Sequence, residues 1–257
     1  MLATTQGIDA RSGIAMSYPA TGLMPRPVPS DPIASAVRTS AKVTPSANLA
    51  FLAALEQRAS AMRADRDEEI VAQEEAATYC YLVVSGCVRT VRLMEDGRRH
   101  VGEFLFAGDL FGWDALDRHD FGAEAVTPVT LRRYARRDLE QLADEDRGVA
   151  RRLRELSSNR LRSGREHMVL LGRKTASERI ASFLLEMAER TSPDPRVSIE
   201  LPMSRGDMGD YLGLTIETVC RRLTRLRQDG TIAIDGTKVA IRDRRALGAA
   251  GCERSVH

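Results

Sequence analysis

Residues 205–224 read RGDMGDYLGLTIETVCRRLT, and this stretch decides the fold of the C-terminal part of the chain. With Arg205 as position one, position five holds Gly209, a small residue that lets two crossing helices approach closely. Position nine holds Gly213, which tolerates the positive φ of a tight turn, and position fifteen holds Val219, an aliphatic core residue. The combination predicts a helix-turn-helix, because an ordinary helical hairpin has no need for glycine at both positions.

The residues around the motif predict how its second helix begins and which element comes after it. Thr215 is the expected N-cap, and Thr218 rather than Glu stands at N3, so no full capping box is expected there. Two short β segments come next, Thr231–Ile234 and Lys238–Ile241, joined by Asp235-Gly236-Thr237. This pattern predicts a β-hairpin wing beside the helix-turn-helix.

The second helix of such a motif enters the major groove of DNA, with its N-terminal residues facing base edges. Glu217 and Arg221 are four residues apart and share one helix face. Arginine can bond guanine O6 and N7 together, and glutamate can accept from cytosine N4. Thr218 and Cys220 are placed for apolar or phosphate contacts. Further candidate DNA contacts are Arg222 and Arg225, which would bind the DNA backbone, and Ser204 and Arg205 at the start of the motif. Arg227 would either bind the backbone as well or be a surface charge.

The composition of the whole chain excludes several classes of protein. The 257 residues carry a formal net charge of +2 and 43% hydrophobic residues, which suits about two folded domains. The sequence has no run of ~18 apolar residues, so no transmembrane span is predicted. It also lacks a basic start followed by an apolar stretch, so no signal peptide is predicted. We therefore expect a cytoplasmic protein with reduced thiols and no membrane partner. Phosphate-binding glycine loops and the H-E-x-x-H and G-x-S-x-G motifs are absent, so we do not expect an enzyme.

Short apolar segments alternate with turn signals in the first half of the chain. Tyr79–Val84 is a β-rich run that ends at Ser85-Gly86, and Val101–Phe106 ends at Ala107-Gly108-Asp109. Short strands about every 10 residues with glycine turns predict an all-β barrel or roll. Ahead of it, 48–64 has the spacing of a short amphipathic helix.

Helical spacing returns after the predicted roll. A short helix over 138–143 should precede a long one from about 145 to 171, with Gly172 as a hinge and another helix over 175–190. An imperfect heptad seam on the long helix predicts pairing with a second copy. The alternative is that the same face packs on the roll. The seam would comprise positions 149, 153, 156, 160, 163, 167 and 170.

The sequence Glu217-Thr218-Val219-Cys220-Arg221 resembles the E-x-x-S-R motif of the Crp/Fnr superfamily of bacterial regulators, in its fumarate/nitrate-reduction and FixK branch. In that branch Glu, Ser and Arg read a TTGAT…ATCAA palindrome. Here Cys220 stands where that branch has Ser. A thiol beside an arginine in the first half of a helix favours thiolate, so Cys220 is a candidate redox switch. The alternative is that it replaces Ser as an isostere against a thymine methyl group.

The resemblance covers about residues 50–245. Tyr81–Gly86 and Phe106–Gly112 look like the cyclic-nucleotide-type roll signatures. The resemblance implies a homodimer that pairs through the long helix and a roll that presents 107–114 to RNA polymerase. The polymerase contacts would be Gly108, Asp109, Leu110, Phe111 and Gly112.

Departures from the family pattern narrow the function. Gly112–Asp117 lacks the Arg-Ser pair that holds a cyclic nucleotide phosphate, and the first 79 residues lack the cysteines of an iron–sulfur cluster. We therefore expect no cofactor and no metal, with Cys80 and Cys87 as packing residues. The FixK-type subgroup remains, which implies an activator of low-oxygen respiration, nitrogen-fixation or denitrification genes. The alternative is a regulator that senses haem, nitric oxide or a small acid in its roll.

Together these features predict an α+β chain in five parts. It would have a cyclic-nucleotide-binding-like β-roll, a long dimerisation helix and a winged helix-turn-helix that binds double-stranded DNA. The expected bounds are 1–45 for a disordered tail, 46–144 for the roll, 145–171 for the dimerisation helix, 172–247 for the DNA-binding domain and 248–257 for a second tail.

Overall fold

Eight short antiparallel strands form two four-stranded sheets in the first half of the computed structural model, which describes residues 58–191 and 198–251. One sheet has the order β1-β8-β3-β6 and the other β2-β7-β4-β5, so strands distant in sequence are neighbours in each sheet. The predicted roll is confirmed. The strands are β1 (Ser60–Ala64), β2 (Glu69–Val71), β3 (Tyr79–Ser85), β4 (Val88–Leu93), β5 (Arg99–Leu105), β6 (Leu110–Phe111), β7 (Gly122–Ala125) and β8 (Val129–Ala135).

The core of the roll follows from the period-two alternation of its strands. In β8, Val129 and Leu131 are buried in the core between the sheets, while Thr130 and Arg132 are partly exposed. Tyr134 is buried on the opposite face of the strand, against the helices that follow. The paired strands β3 and β6 of one sheet add aromatic packing, because the rings of Tyr81 and Phe111 stack with centroids 5.1 Å apart. The buried alternate positions therefore hold the two sheets together.

The prediction of a helix over 48–64 is wrong for its last five residues. Ser60–Ala64 is strand β1, which pairs with β8 in the register Ser60 to Arg133 and Ala64 to Val129. Pairing at the edge of an existing sheet overrides a weak local helical pattern. Residues 48–57, the expected tail over 1–45, the loop at Pro193–Pro195 and part of the expected tail over 248–257 lie outside the described residues.

Three helices follow the roll: α1 (Arg136–Glu145), α2 (Arg147–Arg173) and α3 (Ala176–Thr191). The carboxylate of Asp146 caps α2 by accepting from the backbone N–H groups of Gly148 and Val149. The long helix continues through Gly172, the expected hinge, and ends one residue later.

The heptad seam expected on α2 faces the protein's own roll and DNA-binding domain. Val149 and Leu170 are buried within the chain, and Arg160 forms ion pairs with the roll. At these three positions the alternative packing is the one observed, while Ser163 of the same seam is exposed. Pairing of the long helix with a second copy stays a prediction. The side of α2 turned away from the roll instead exposes Leu161 and Met168, which are 58% and 70% accessible.

The C-terminal part combines two crossing helices, a three-stranded sheet and a closing helix. These elements are α4 (Arg205–Leu212), α5 (Ile216–Gln228), α6 (Arg244–Ala250), β9 (Ile199–Glu200), β10 (Ile232–Asp235) and β11 (Lys238–Ile241), with the sheet order β10-β11-β9. The predicted wing is confirmed. Strand β9 and helix α6 were not expected. Helix α6 extends past residue 247, and its Leu247 is fully buried in the core shared with α3.

The roll and the helix-turn-helix share one continuous core. Phe104 of β5 contacts Phe183 of α3 and Tyr211 of α4, with ring centroids 6.3 and 5.4 Å apart. His167 of α2 lies against the same Tyr211 ring at 4.4 Å. Residues from every part of the fold thus meet around one aromatic side chain. None of the described helices is both long and apolar enough to cross a membrane.

Candidate nucleic-acid interface

Helices α4 and α5 cross at the two glycines that the sequence singles out. A Cβ on Gly209 would lie 2.6 Å from the carbonyl oxygen of Leu214, so any larger residue would push the helices apart. Gly213 ends α4 with φ of +62°, a left-handed conformation that favours glycine. Val219 is fully buried beneath the crossing. The predicted helix-turn-helix is confirmed.

Both helices of the motif begin with a side-chain cap. The Thr215 hydroxyl accepts from the backbone N–H of Thr218 at 3.3 Å, as predicted for α5. In α4, the Ser204 hydroxyl accepts from the Asp207 N–H at 3.0 Å, and the Asp207 carboxylate accepts from the Ser204 N–H at 3.0 Å. This capping box was not predicted, because Asp stands where the motif usually has Glu or Gln.

The outward face of α5 carries the side chains predicted to read DNA. Glu217, Cys220, Arg221 and Arg225 are all exposed on it. The pKa of Glu217 is lowered by its backbone N–H group, by the Thr215 hydroxyl and by the charge of Arg221. The carboxylate therefore stays ionised at neutral pH and can only accept hydrogen bonds, as the cytosine amino group requires.

The other candidate DNA contacts differ in how free their side chains are. Arg225 pairs with Asp229 at 3.1 Å but remains largely exposed, while Arg222 is half-buried. Arg205 is also half-buried, and its Nη1 lies 3.3 Å from the sulfur of Met208. The Ser204 hydroxyl is already engaged in the α4 cap. The free charges at this surface are therefore concentrated on α5.

The cysteines fall into two groups. Cys80 and Cys87 are buried in the roll, and burial raises the pKa of each thiol to about 12, so both stay protonated and unreactive. Cys220 is exposed on α5. The guanidinium of Arg205 lies near Cys220. Burial lowers the pKa of this guanidinium, and the electrostatic interaction with Cys220 raises it in part. Cys220 is thus the accessible thiol among the described residues.

The segment predicted to contact RNA polymerase is only partly at the surface. Leu110 and Phe111 form β6 and are 7% and 3% exposed, because their side chains belong to the core of the roll. Gly108 and Gly112 are partly exposed. The carboxylate of Asp109 is bound inside the chain, where it accepts from the N–H of Phe106 at 2.8 Å and from Arg190 at 2.6 Å.

A cavity of about 330 Å³ opens where the roll meets α2. Among its lining residues are Gly112, His119 and Arg160. The guanidinium of Arg160 enters it from α2 and pairs with Glu103 at 2.8 Å and with Asp114 at 3.0 Å. The cation in this cavity therefore comes from α2 and is already neutralised by two carboxylates. No cluster of three or more His, Cys, Asp or Glu side chains suited to a metal ion occurs in the described ranges.

Two domain families match the two halves of this fold. The Crp-like helix-turn-helix domain matches residues 178–250, and the cyclic nucleotide-binding domain matches residues 61–146. The first match contains α4, α5 and the wing, and the second contains the eight strands of the roll except for the first residue of β1.

Two curated regulators and one solved structure match most of the chain. The chain is 46% identical over 186 residues to the nitrogen fixation regulation protein FixK of Azorhizobium caulinodans, covering 71% of this chain and 75% of that relative. It is 40% identical over 201 residues to the FixK protein of Bradyrhizobium diazoefficiens, covering 77% and 84%. The solved structure of FixK2 from Bradyrhizobium japonicum matches with a TM-score of 0.72 and 43% identity, covering 75% of this chain and 96% of that one.

Proposed function

The chain belongs to the FixK-type branch of the Crp/Fnr family of transcriptional regulators, and from this premise we propose that it binds a TTGAT…ATCAA-like palindrome as a homodimer and activates transcription. The names of its relatives refer to the regulation of nitrogen fixation, and the proposed target genes serve nitrogen fixation, low-oxygen respiration or denitrification. The observation that carries the proposal is the exposed face of α5, where Glu217 and Arg221 stand side by side on a confirmed helix-turn-helix. Binding to DNA also implies a cytoplasmic location.

Each side chain on this face has a role that its chemistry suits. Arg221 bonds O6 and N7 of a guanine, and Glu217 accepts from the amino group of a cytosine. Cys220 packs against a thymine methyl group, and Thr218 steadies Arg221. Phosphate contacts come from Arg222 and Arg225, and from Ser204 and Arg205 at the start of α4.

The dimer forms through the exposed side of α2. Leu161 and Met168 are seven residues apart and so lie on one line along the helix, and Val169 beside them is 56% accessible. Large apolar side chains grouped on one exposed helix face lose this exposure when a second helix covers them. Pairing there would set the two copies of α5 about one DNA turn apart, ~34 Å.

Contact with RNA polymerase is proposed for the rim of the roll near β6. Because the side chains of Leu110 and Phe111 are buried, the contact falls to the backbone and exposed edges of Gly108, Asp109 and Gly112. The neighbouring Leu116, which is 85% accessible, adds an apolar side chain to the same surface.

A second candidate function is ligand sensing, which the cavity at the roll favours. Of the expected ligands (haem, nitric oxide or a small acid), an uncharged one such as nitric oxide suits the space beside Arg160 best. The pairing of Arg160 with Glu103 and Asp114 argues against an anionic ligand such as a cyclic nucleotide, since it would meet two carboxylates and no free cation. An absorbance spectrum of the purified protein and thermal shifts with candidate ligands distinguish the two functions.

A gel shift of the purified protein on a TTGAT…ATCAA duplex tests the proposal, with a scrambled duplex as control. We expect specific binding with reductant present and without any added ligand. Binding that appears only after a ligand is added would support the sensing function instead. Equal binding to both duplexes would contradict sequence-specific recognition.

A further inference from the structure

The carboxylate of Asp207 joins the DNA-binding domain to the roll. One of its oxygens, Oδ2, accepts from the backbone N–H of Ser204 at 3.0 Å and from Nη1 of Arg89 at 3.3 Å. The other, Oδ1, accepts from Nη2 of Arg99 at 2.6 Å. Asp207 is 2% exposed. One side chain therefore both caps α4 and binds two arginines that stand on strands β4 and β5 of the roll.

Both arginines are held firmly on the roll. Arg89 also donates to Glu124 at 2.8 Å and to Asp67 at 3.1 Å, so its guanidinium is fixed from the side of the roll. Arg99 reaches a second carboxylate on α4, that of Asp210, at 2.9 Å. The next residue, His100, has its Nδ1 3.1 Å from the carbonyl oxygen of Asp210. Two adjacent positions of β5 therefore contact the same turn of α4.

The protonation state of Asp207 agrees with this arrangement. Burial by itself raises the pKa of a carboxyl group, but the hydrogen bonds from Ser204 and the charges of Arg89 and Arg99 outweigh burial and lower it. Asp207 is ionised at neutral pH, and hydrogen bonds between ionised groups are short and directional. The nearby aromatic contact of Phe104 with Tyr211 is not directional in this way.

The direction of α4 determines the direction of the reading helix. Gly209 of α4 packs against the turn that leads into α5, where there is no room for even one added carbon atom against Leu214. A force that turns α4 therefore turns α5 with it. The two halves of a palindrome are read only if both copies of α5 point correctly, since each added base pair turns one half-site by roughly 35° about the DNA axis.

We infer that Arg89, Arg99, Asp207 and Asp210 form an interdomain clamp that fixes the orientation of the reading helix on the roll, and so determines which spacing of half-sites the dimer accepts. The inference rests on the proposed palindrome binding by a dimer. In this role Arg99 and Asp210 are positioning residues: they touch no DNA, and they act through α4.

The test uses Arg99→Ala and Asp210→Ala in the full chain. Neither residue lies on the DNA-reading face or in the α4 cap. Arg98→Ala is the matched control, because Arg98 precedes Arg99, is 80% accessible on its side chain and pairs with Asp96 at the surface. Affinities are measured on palindromes whose spacer is shortened or lengthened by one base pair, and on a duplex with a single half-site.

For the wild type and Arg98→Ala we expect at least about tenfold tighter binding at one spacing than at its neighbours. A wrong spacing should weaken binding at least as much as one mismatched base pair does. In Arg99→Ala and Asp210→Ala this preference should fall to about threefold or less, while affinity for the single half-site stays unchanged. A preserved spacing preference would overturn the clamp. Equal losses on the palindrome and the half-site would also overturn it, since they indicate a general loss of folding or charge.

Hydrogen exchange provides a readout that does not depend on DNA. Backbone amides of α4 should exchange faster in Arg99→Ala and Asp210→Ala than in Arg98→Ala, while those of the β10–β11 hairpin stay unchanged. Unchanged exchange in α4 would contradict the clamp even if no duplex were bound specifically. A wild type that fails to distinguish the palindrome from a scrambled duplex would refute the proposed function, and the exchange result would then decide the clamp.

Discussion

The guanidinium of Arg221 donates a hydrogen bond from Nη2 to the hydroxyl oxygen of Thr218, at 3.3 Å and one helical turn earlier on α5. The same hydroxyl accepts from Thr215, the N-cap of the helix, at 3.2 Å. A chain of contacts therefore runs from the start of the helix to the side chain expected to read guanine. An arginine held in place before binding loses less conformational entropy when it meets a base.

Replacing Arg221 should abolish sequence-specific binding. Arg221→Ala removes a bidentate contact worth roughly 1–3 kcal/mol in each half-site, or about 2–6 kcal/mol for both, so affinity for the palindrome should drop about 30-fold or more while the dimer persists. Thr218→Val keeps the shape of the side chain and removes the hydroxyl, so we expect a smaller loss, about threefold to tenfold. Fluorescence anisotropy on labelled duplexes measures both. Specific binding that survives in Arg221→Ala would place the reading face elsewhere.

Oxidation should inactivate the protein through Cys220. Its thiol is exposed on the reading face, whereas burial raises the pKa of Cys80 and Cys87 to about 12 and keeps both unreactive. Peroxide should therefore reduce palindrome binding in the wild type and leave Cys220→Ser unaffected, because Ser has nearly the same shape without the reactive sulfur. Gel shifts before and after peroxide, then after reductant, measure the effect. Inactivation of both proteins alike would exclude Cys220 as the switch.

Breaking the exposed side of α2 should separate the dimer. Met168→Glu and Leu161→Glu put a charge where two helices are proposed to meet, and the resulting monomers should bind the palindrome about 100-fold more weakly or worse. Leu93→Glu is the control, because Leu93 is similarly exposed, at 60%, but lies at the end of β4 in the roll. Analytical ultracentrifugation gives the oligomeric state. Dimers that persist in both α2 variants would show that the contact lies on another surface.

The helix-turn-helix could be predicted because its determinants are close together in the sequence. Gly209 and Gly213 are needed by a crossing and a turn made within six residues, and Thr215 caps the helix that comes directly after them. The reading face follows from the same helix period, which brings Glu217 and Arg221 to one side. Local sterics and periodicity are what a single sequence records best.

Contacts between distant segments left no such signal. Asp207 meets Arg89 across 118 residues of sequence, and nothing near either residue indicates the other. The helical pattern over strand β1 misleads for the same reason: the conformation of β1 is set by β8, about 70 residues later, rather than by its own residues. For the apolar face of α2, periodicity gives the existence of a face but not its partner: Val149 packs on the chain's own roll and Leu170 on its DNA-binding domain.

Acid should destabilise the fold through His167. Burial lowers the pKa of its imidazole, and the neighbouring His100 lowers it further, so the folded state favours the neutral ring. The unfolded chain binds a proton near pH 6.5, so this contribution to the free energy of unfolding is complete above about pH 6.5 and is lost as the pH falls from there through the folded pKa. His119, whose pKa burial also lowers, contributes with the same sign.

His167→Phe keeps the ring against Tyr211 without a titratable group, so its unfolding free energy should decrease less than that of the wild type between about pH 7.5 and pH 5.5. Urea unfolding at the two pH values measures the difference, and parallel decreases in both proteins would show that His167 has no part in the pH dependence.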